Sequence, residues 1–232
     1  MKPRLATVMP PPRGSIQRCE DRSGYLTDLG KLPSCTTIIG ATKSDAAKKA
    51  LQAWLDRPGG KERSLAATTR GTYVHSQAEA WIKGEPTLNH LVFGGYWRSL
   101  QSWLEGNFHS ALGIELPIFH GAGFSGTFDC LGWTYDSTEL QLIDWKTSQR
   151  YRDPDSEICQ GYFTQLAAYR AGIAFTYGVE VNSAQLVIAR QIGKPDVYTL
   201  DQQQLDHYEL EFFDRLHRYQ EMVSQEDSHV VA

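Results

Sequence analysis

Asp129, Asp144 and Lys146 have the types and spacing of a divalent-metal site. They lie in the stretch 126–148, GTFDCLGWTYDSTELQLIDWKTS. Phe124, Gly126, Phe128 and Cys130 alternate there with Thr127, Asp129, Leu131 and Trp133, the period of a strand. Leu140, Leu142, Asp144 and Lys146 alternate in the same way with Gln141, Ile143, Trp145 and Thr147. Asp136-Ser137 suits a tight turn between the two. A two-residue turn pairs Tyr135 with Thr138 and, counting back along both strands, Asp129 with Asp144. Two carboxylates then face each other with Cβ atoms about 5 Å apart, and Lys146 shares their face. Hard oxygen ligands suit Mg²⁺ or Mn²⁺. The ammonium can hold or polarise a metal-activated water, or stabilise charge developing on a phosphate. The ordinary explanation of an Asp-x-Lys triplet is an exposed ion pair on an edge strand. Chance supplies such a triplet about once in a chain of this size. The apolar neighbours Leu140, Leu142, Ile143 and Trp145 argue instead for a buried position.

The elements that must carry this hairpin can be read on either side of it. Residues 1–33 form an extended, Pro- and Gly-punctuated arm with a short hairpin at 24–32. Residues 32–39, LPSCTTII, form a short apolar lead-in whose Ser34, Thr36 and Thr37 could donate to a phosphate or satisfy turns and caps. Ser44 or Asp45 opens a helix with Ala47, Ala50, Leu51, Trp54 and Leu55 on one stripe, ended by Pro58-Gly59-Gly60. A second helix runs over 64–83, with His75 and Glu79 one turn apart. A third covers 89–111, with Val92, Tyr96, Leu100, Trp103, Leu104 and Phe108 as its stripe. A strand at 114–119 carries the single acid Glu115. After the hairpin come a charged loop, a helix over 157–174 with Tyr162, Gln165, Leu166 and Tyr169 on one face, and strands at 184–190 and 196–200. Asp201 and Gln204 make a capping box for a last amphipathic helix.

The 232 residues suffice for one full core. Hydrophobic content is 41% and charged content 22%, an ordinary globular composition. The net charge of −4 advertises no nucleic-acid partner for the molecule as a whole, so any such surface is local. Residues 43–70 hold seven Lys/Arg against three acids, whereas 201–232 hold eight acids against two arginines. The first segment is either a solvated face or a phosphate track, and the last helix should face away from any phosphate. Trp54, Tyr73, Trp81, Tyr96 and Trp97 accompany the basic segment as core or as stacking platforms. Cys19, Cys35, Cys130 and Cys159 form no Cys-x-x-Cys pair and read as reduced thiols of an intracellular protein. No apolar run is long enough to span a membrane, and the N-terminus lacks a signal core. The chain reads as cytoplasmic. A Gly-x-x-x-x-Gly-Lys-Ser/Thr loop is missing, so no ATP motor is expected.

Taken in order, a helix with RGTYVH, a strand with an acid, GTFD, IDWK and a helix with QLAAY resemble the PD-(D/E)XK nuclease superfamily, and within it the RecB-like exonucleases. The segment LPSCTTIIGATKSDAAKKALQAWL looks like the stand-alone phage-type and mitochondrial genome maintenance exonucleases. The resemblance spans about residues 25–190. It implies an α/β, restriction-endonuclease-like core, a mixed β-sheet flanked by helices, with an N-terminal helical elaboration. The whole chain would be one nuclease domain: arm and lead-in at 1–40, helical segment at 41–112, catalytic core at 113–225. The resemblance further implies that His75, Asp129, Asp144 and the Trp145 carbonyl hold one or two Mg²⁺ or Mn²⁺ ions. It makes Asp144 and Lys146 the Asp-x-Lys pair, and Gln165 and Tyr169 the flanking Gln-xxx-Tyr helix. Glu115 falls where the branch often has an acid, in a role the resemblance does not fix. Thr36, Thr37, Lys43 and Arg70 are candidate substrate contacts. Some relatives hold an iron–sulfur cluster through four cysteines. Only Cys159 is near such a position here, so none is expected.

These readings predict a monomeric, metal-dependent exonuclease acting on DNA, with a preference for a single strand that has a free end. An endonuclease of the same fold would also cut closed circles. A non-catalytic nucleic-acid-binding protein has no reason to keep Asp129, Asp144 and Lys146 together. An interaction scaffold would show no metal dependence.

Overall fold

The structure is a computed structural model that describes Leu5, residues 9–20 and residues 24–230, with side chains through 225. The first basic residues of the arm, and Glu226 and Asp227 of the acidic tail, lie outside the described side chains. A small antiparallel sheet of β1 (Ile16–Arg18), β2 (Tyr25–Thr27) and β3 (Gly30–Leu32) contains the hairpin expected in the arm. Then follow α1 (Cys35–Ala41), α2 (Asp45–Leu55), α3 (Gly60–Lys83) and α4 (Gly94–Asn107). The main body is β4 (Phe108–His120), β5 (Phe124–Thr134), β6 (Gln141–Ser148), α5 (Glu157–Tyr177), β7 (Ser183–Arg190), β8 (Asp196–Leu200) and α6 (Gln202–Val230).

Five strands form one mixed sheet in the order β4-β5-β6-β7-β8, with β6 and β7 parallel and the other neighbours antiparallel. Parallel strands need a crossover, which α5 supplies. β6 is the middle strand, so Asp144 and Lys146 do not form an ion pair on an edge. β7 is buried from Ala184 to Ala189, and apolar there except for Gln185, because it is covered on both faces. On one face Trp81, Tyr96, Leu100 and Leu104 of α3 and α4 pack on Ile143, Trp145 and Val187. On the other Leu166, Ile173, Phe212 and Leu216 of α5 and α6 pack on Phe128, Leu142 and Leu186. Full burial of a side chain such as Trp145 or Phe212 contributes roughly 2 kcal/mol or more. No helix among the described residues is long and apolar enough to cross a membrane.

Local chemistry sets the helix ends. Ser44 caps α2 by accepting the Ala47 N–H at 3.1 Å. Asp201 and Gln204 form the expected reciprocal box at 2.8 and 3.0 Å. One expectation is corrected, and two elements take a form that the sequence left open. The third helix is shorter than 89–111: Asn107 ends α4 and Phe108 turns extended to open β4. Phe108 fits a helical stripe and a strand equally well; it pairs with Thr134 and packs edge-on against Trp81. The apolar stripe of α2 covers no core, since none of its residues is buried. The lead-in at 32–39 ends in a helix, α1, whose Cys35, Ile38 and Ile39 join the α5–α6 layer.

Candidate active site

Asp129 sits where β5 and β6 part. Three pairs join these strands, Cys130–Ile143, Leu131–Leu142 and Gly132–Gln141, in the register expected from the sequence. The connection is residues 135–140 rather than a two-residue turn. One step beyond Cys130–Ile143 the ladder stops, and Asp129 Oδ2 accepts the Trp145 N–H at 2.8 Å. The carboxylate takes a donor that a ladder carbonyl would otherwise have satisfied. The face alternation of β5 also inverts here. Phe128 and Leu131 both join the α5–α6 layer, whereas Cys130 joins the α3–α4 layer.

The neighbouring strand is distorted at the same level. The pairs Ile114–Cys130 and Leu116–Phe128 set Glu115 opposite Asp129. Glu115 has φ 49°, the sole non-glycine residue with positive φ among those described. A left-handed conformation at a residue with a Cβ costs on the order of 1–3 kcal/mol and persists only where the surroundings enforce it. Glu115 Oε1 lies 3.3 Å from His75 Nδ1, and Asp129 Oδ1 lies 3.4 Å from the same nitrogen. His75 comes from the middle of α3, held by Val74, Ala78, Trp81 and Ile82 on the buried face. Donor atoms of His75, Glu115 and Asp129 all fall within 4.8 Å of one another.

Asp144 is fully buried and turned to Lys146, whose Nζ touches Oδ2. Its Oδ1 has no hydrogen-bond partner among the described residues. The Lys146 ammonium also lies 5.3 Å from the ring centre of Tyr162. On α5, Gln165 Nε2 donates to Tyr169 Oη at 2.6 Å. Tyr169 packs over Gly126, where a Cβ would sit 2.8 Å from its Cε1. Closeness of the ring, not backbone freedom, makes glycine necessary there.

The electrostatics follow from crowding. Burial alone would lower His75, but Asp129 and Glu115 outweigh it and push the imidazole up to about 10. Burial raises Asp144 to about 7 against the pull of Lys146. Asp129 is lowered: burial opposes its charge, while His75, Lys146 and the Trp145 N–H overcome that penalty. Burial raises Glu115. Lys146 is raised because Asp144 and Asp129 outweigh burial.

The structure thus gathers His75, Glu115 and Asp129 in one cluster, with Asp144 and Lys146 as a pair on the next strand. Gln165 and Tyr169 flank them. One imidazole nitrogen, several carboxylate oxygens and an unpartnered buried oxygen on Asp144 fit a hard divalent cation. A cleft of about 1280 Å³ adjoins the pair through Tyr162 and Gln165. Thr36, Lys43 and Arg70 line it. Thr37 does not: because α1 begins at Cys35, Ser34 caps it, accepting the Thr37 N–H at 3.1 Å and meeting its hydroxyl at 2.8 Å. The sequence reading missed Arg150, Arg152 and the apolar face of α2 as parts of the cleft wall. The signal for that face was an apolar stripe beside seven Lys/Arg in 43–70.

Comparison with known proteins adds the family. No curated protein matches the chain significantly. Among solved structures, an alkaline exonuclease, LHK-Exo, from Laribacter hongkongensis is 15% identical, with a TM-score of 0.40 over 85% of this chain and 93% of that one. A phage related exonuclease from Haemophilus somnus 129PT is 15% identical, with a TM-score of 0.35 over 83% and 95%. Likenesses this distant carry no argument about activity. A family model does: the one described as the PD-(D/E)XK nuclease superfamily matches residues 43–228, from the start of α2 into the end of α6 and through every strand of the main sheet. The chain belongs to the PD-(D/E)XK nuclease superfamily.

Proposed function

We propose that this nuclease is a metal-dependent DNA exonuclease of the RecB-like type, taking the free end of a single strand as a monomer. The observation that carries the reading is the cleft beside Lys146. Lys43, Arg57, Arg63, Arg70, Arg150 and Arg152 line it, and Glu157 is the one acid among the described residues of its wall. In a chain of net charge −4, that focuses positive potential on one path to the site. Leu51, Trp54, Phe93 and Ile158 give the same cleft apolar and aromatic wall. Cations together with stacking surface suit an unpaired strand, whose bases are free to turn inward.

His75, Glu115 and Asp129, with Asp144 and the Trp145 carbonyl, would hold a divalent cation, which when bound would supply Lewis-acid polarisation of the scissile phosphate and a lowered pKa for water. Mg²⁺ and Mn²⁺ both suit these donors. The chain's own residues do the positioning. Trp145 N–H fixes one oxygen of Asp129 and so aims the other at His75. Asp144 and Tyr162 hold the Lys146 ammonium beside the cleft, where it orients the attacking water and meets negative charge gathering on the phosphate. Water oxygen bonds to phosphorus and gives up one proton to solvent, the ester P–O bond breaks, and the leaving oxygen takes a proton from solvent.

The test uses linear single-stranded, circular single-stranded and linear duplex DNA with Mg²⁺, Mn²⁺ or EDTA, and Lys146→Ala as control. Loss of the linear single strand alone, abolished by EDTA and in K146A, is expected. Cutting of the circle would make the enzyme an endonuclease. No metal-dependent cutting would leave a nucleic-acid-binding protein on this fold.

A further inference from the structure

Arg70 is built unlike the other cations of the cleft. It lies on α3, five residues before His75, and its Nε donates to Thr147 Oγ1 at 2.9 Å. Thr147 directly follows Lys146 on β6. The guanidinium carbon lies 4.7 Å from the ring centre of the buried Tyr96. One nitrogen is therefore anchored, and the cation rests over an aromatic ring. Neither Nη atom has a hydrogen bond or ion pair among the described residues, and Arg70 lines the cleft. By contrast, Arg63 bonds the Pro58 carbonyl and lies over Trp54, away from β6. Arg152 bonds Ser148 through Nε, and among the described residues no aromatic ring lies beneath it.

We propose that Arg70 is the register clamp of the substrate strand: its two free Nη groups grip, bidentately, the phosphate adjacent to the scissile one. A guanidinium fork matches two phosphate oxygens in one plane, and a fork already fixed in orientation loses little entropy on binding. Anchorage to the residue beside Lys146 ties that grip to the centre, so the clamp decides which linkage meets the water. Thr147 and Tyr96 are positioning residues, acting through Arg70. The proposal rests on the nuclease reading and names one contact of its substrate.

The test is a set of short linear single strands, each with one neutral methylphosphonate linkage, the position moved one step at a time. Wild type should be slowed, through KM, by one linkage next to the cut, by about 10- to 100-fold for a lost charged fork. Arg70→Gln should show the same rise in KM on unmodified DNA, and neutralising that one linkage should slow it no further. Arg70→Lys, which keeps the charge and loses the fork, should recover little. Thr147→Val, which keeps Arg70 and its charge, should show a smaller loss at the same linkage. Melting temperatures close to wild type separate these effects from misfolding. Should the Gln substitution and the methylphosphonate multiply at every linkage, or leave KM unchanged, the clamp is refuted while the nuclease stands. Binding of the same strands with Ca²⁺ in place of Mg²⁺ reads the coupling without cleavage. Coupling there in a protein that cuts nothing would keep the clamp and sink the nuclease reading. Absence of coupling in binding would refute the clamp.

Discussion

If His75 is a metal ligand, as proposed, the ion must displace a proton from it, and the amount can be worked out. With the imidazole at about 10, it is essentially fully protonated at pH 7. Nδ1 faces two carboxylate oxygens at 3.3 and 3.4 Å, so the charged ring is what the metal-free site holds. A cation that takes a lone pair from that ring releases about one proton, at a cost of about 4 kcal/mol for three pH units. Asp144, at about 7, adds roughly half a proton if it also becomes a ligand. Titration calorimetry of Mn²⁺ binding at pH 7 in two buffers of different protonation enthalpy measures the total. Wild type should release between about one and one and a half protons, and His75→Ala about one fewer. Apparent affinity should rise about tenfold per pH unit between about 7 and 10 in wild type and lose that slope in the variant. An ordinary histidine near 6.5 would release only about a quarter of a proton at pH 7. Release of that size, or equal release from wild type and H75A, would refute the argument that Asp129 and Glu115 hold the ring charged.

Lys146→Ala leaves Asp144 buried with neither oxygen paired, and should destabilise the protein by about 3 kcal/mol at pH 8 in urea. Burial already raises Asp144, so the orphaned carboxyl protonates at pH 5 and the loss should shrink there; an equal loss at both values would contradict the buried charge. Gly126→Ala pushes a methyl into Tyr169 and should cost about 1–3 kcal/mol in denaturant midpoint, with loss of the Gln165–Tyr169 bond. Gly71→Ala, on α3 with nothing near its Cβ position, should instead stabilise by roughly 0.5–1 kcal/mol. Trp54→Ala touches no core and should leave stability within about 0.5 kcal/mol, while single-strand binding by fluorescence anisotropy weakens by about 1 kcal/mol or more.

Much of the centre was legible because strand register is arithmetic. Counting back from Asp136-Ser137 put Asp129 across from Asp144, and the ladder has that register although the turn does not. The parting of the strands was not legible. It depends on Asp129 taking the Trp145 N–H, a side-chain choice that period-2 alternation does not encode. Glu115 could be placed on a strand, but its positive φ opposite Asp129 is not encoded in strand periodicity. The stripe on α2 looks like a core stripe because apolar periodicity reports a hydrophobic face and not what covers it. Phe108 was misassigned for a different reason: a single apolar residue fits the end of a helical stripe and the start of a strand equally well. Thr37 looked like a phosphate donor, because only the start of α1 at Cys35 reveals that its hydroxyl answers to Ser34.

The bare face of α2 has a consequence for how the molecule opens. An element that shields no core can unfold on its own at little free-energy cost, long before the sheet does. Its described tethers include the Ser44–Glu157 hydrogen bond at one end, the tight Pro58-Gly59-Gly60 corner at the other and the Arg63 cation of α3 over the Trp54 ring. Amides of α2 should therefore exchange with deuterated water soonest among the helices. A protease should nick 45–55 first, leaving a folded body behind. A strand seated beneath α2 would slow both reactions, so the helix serves as a built-in reporter of occupancy.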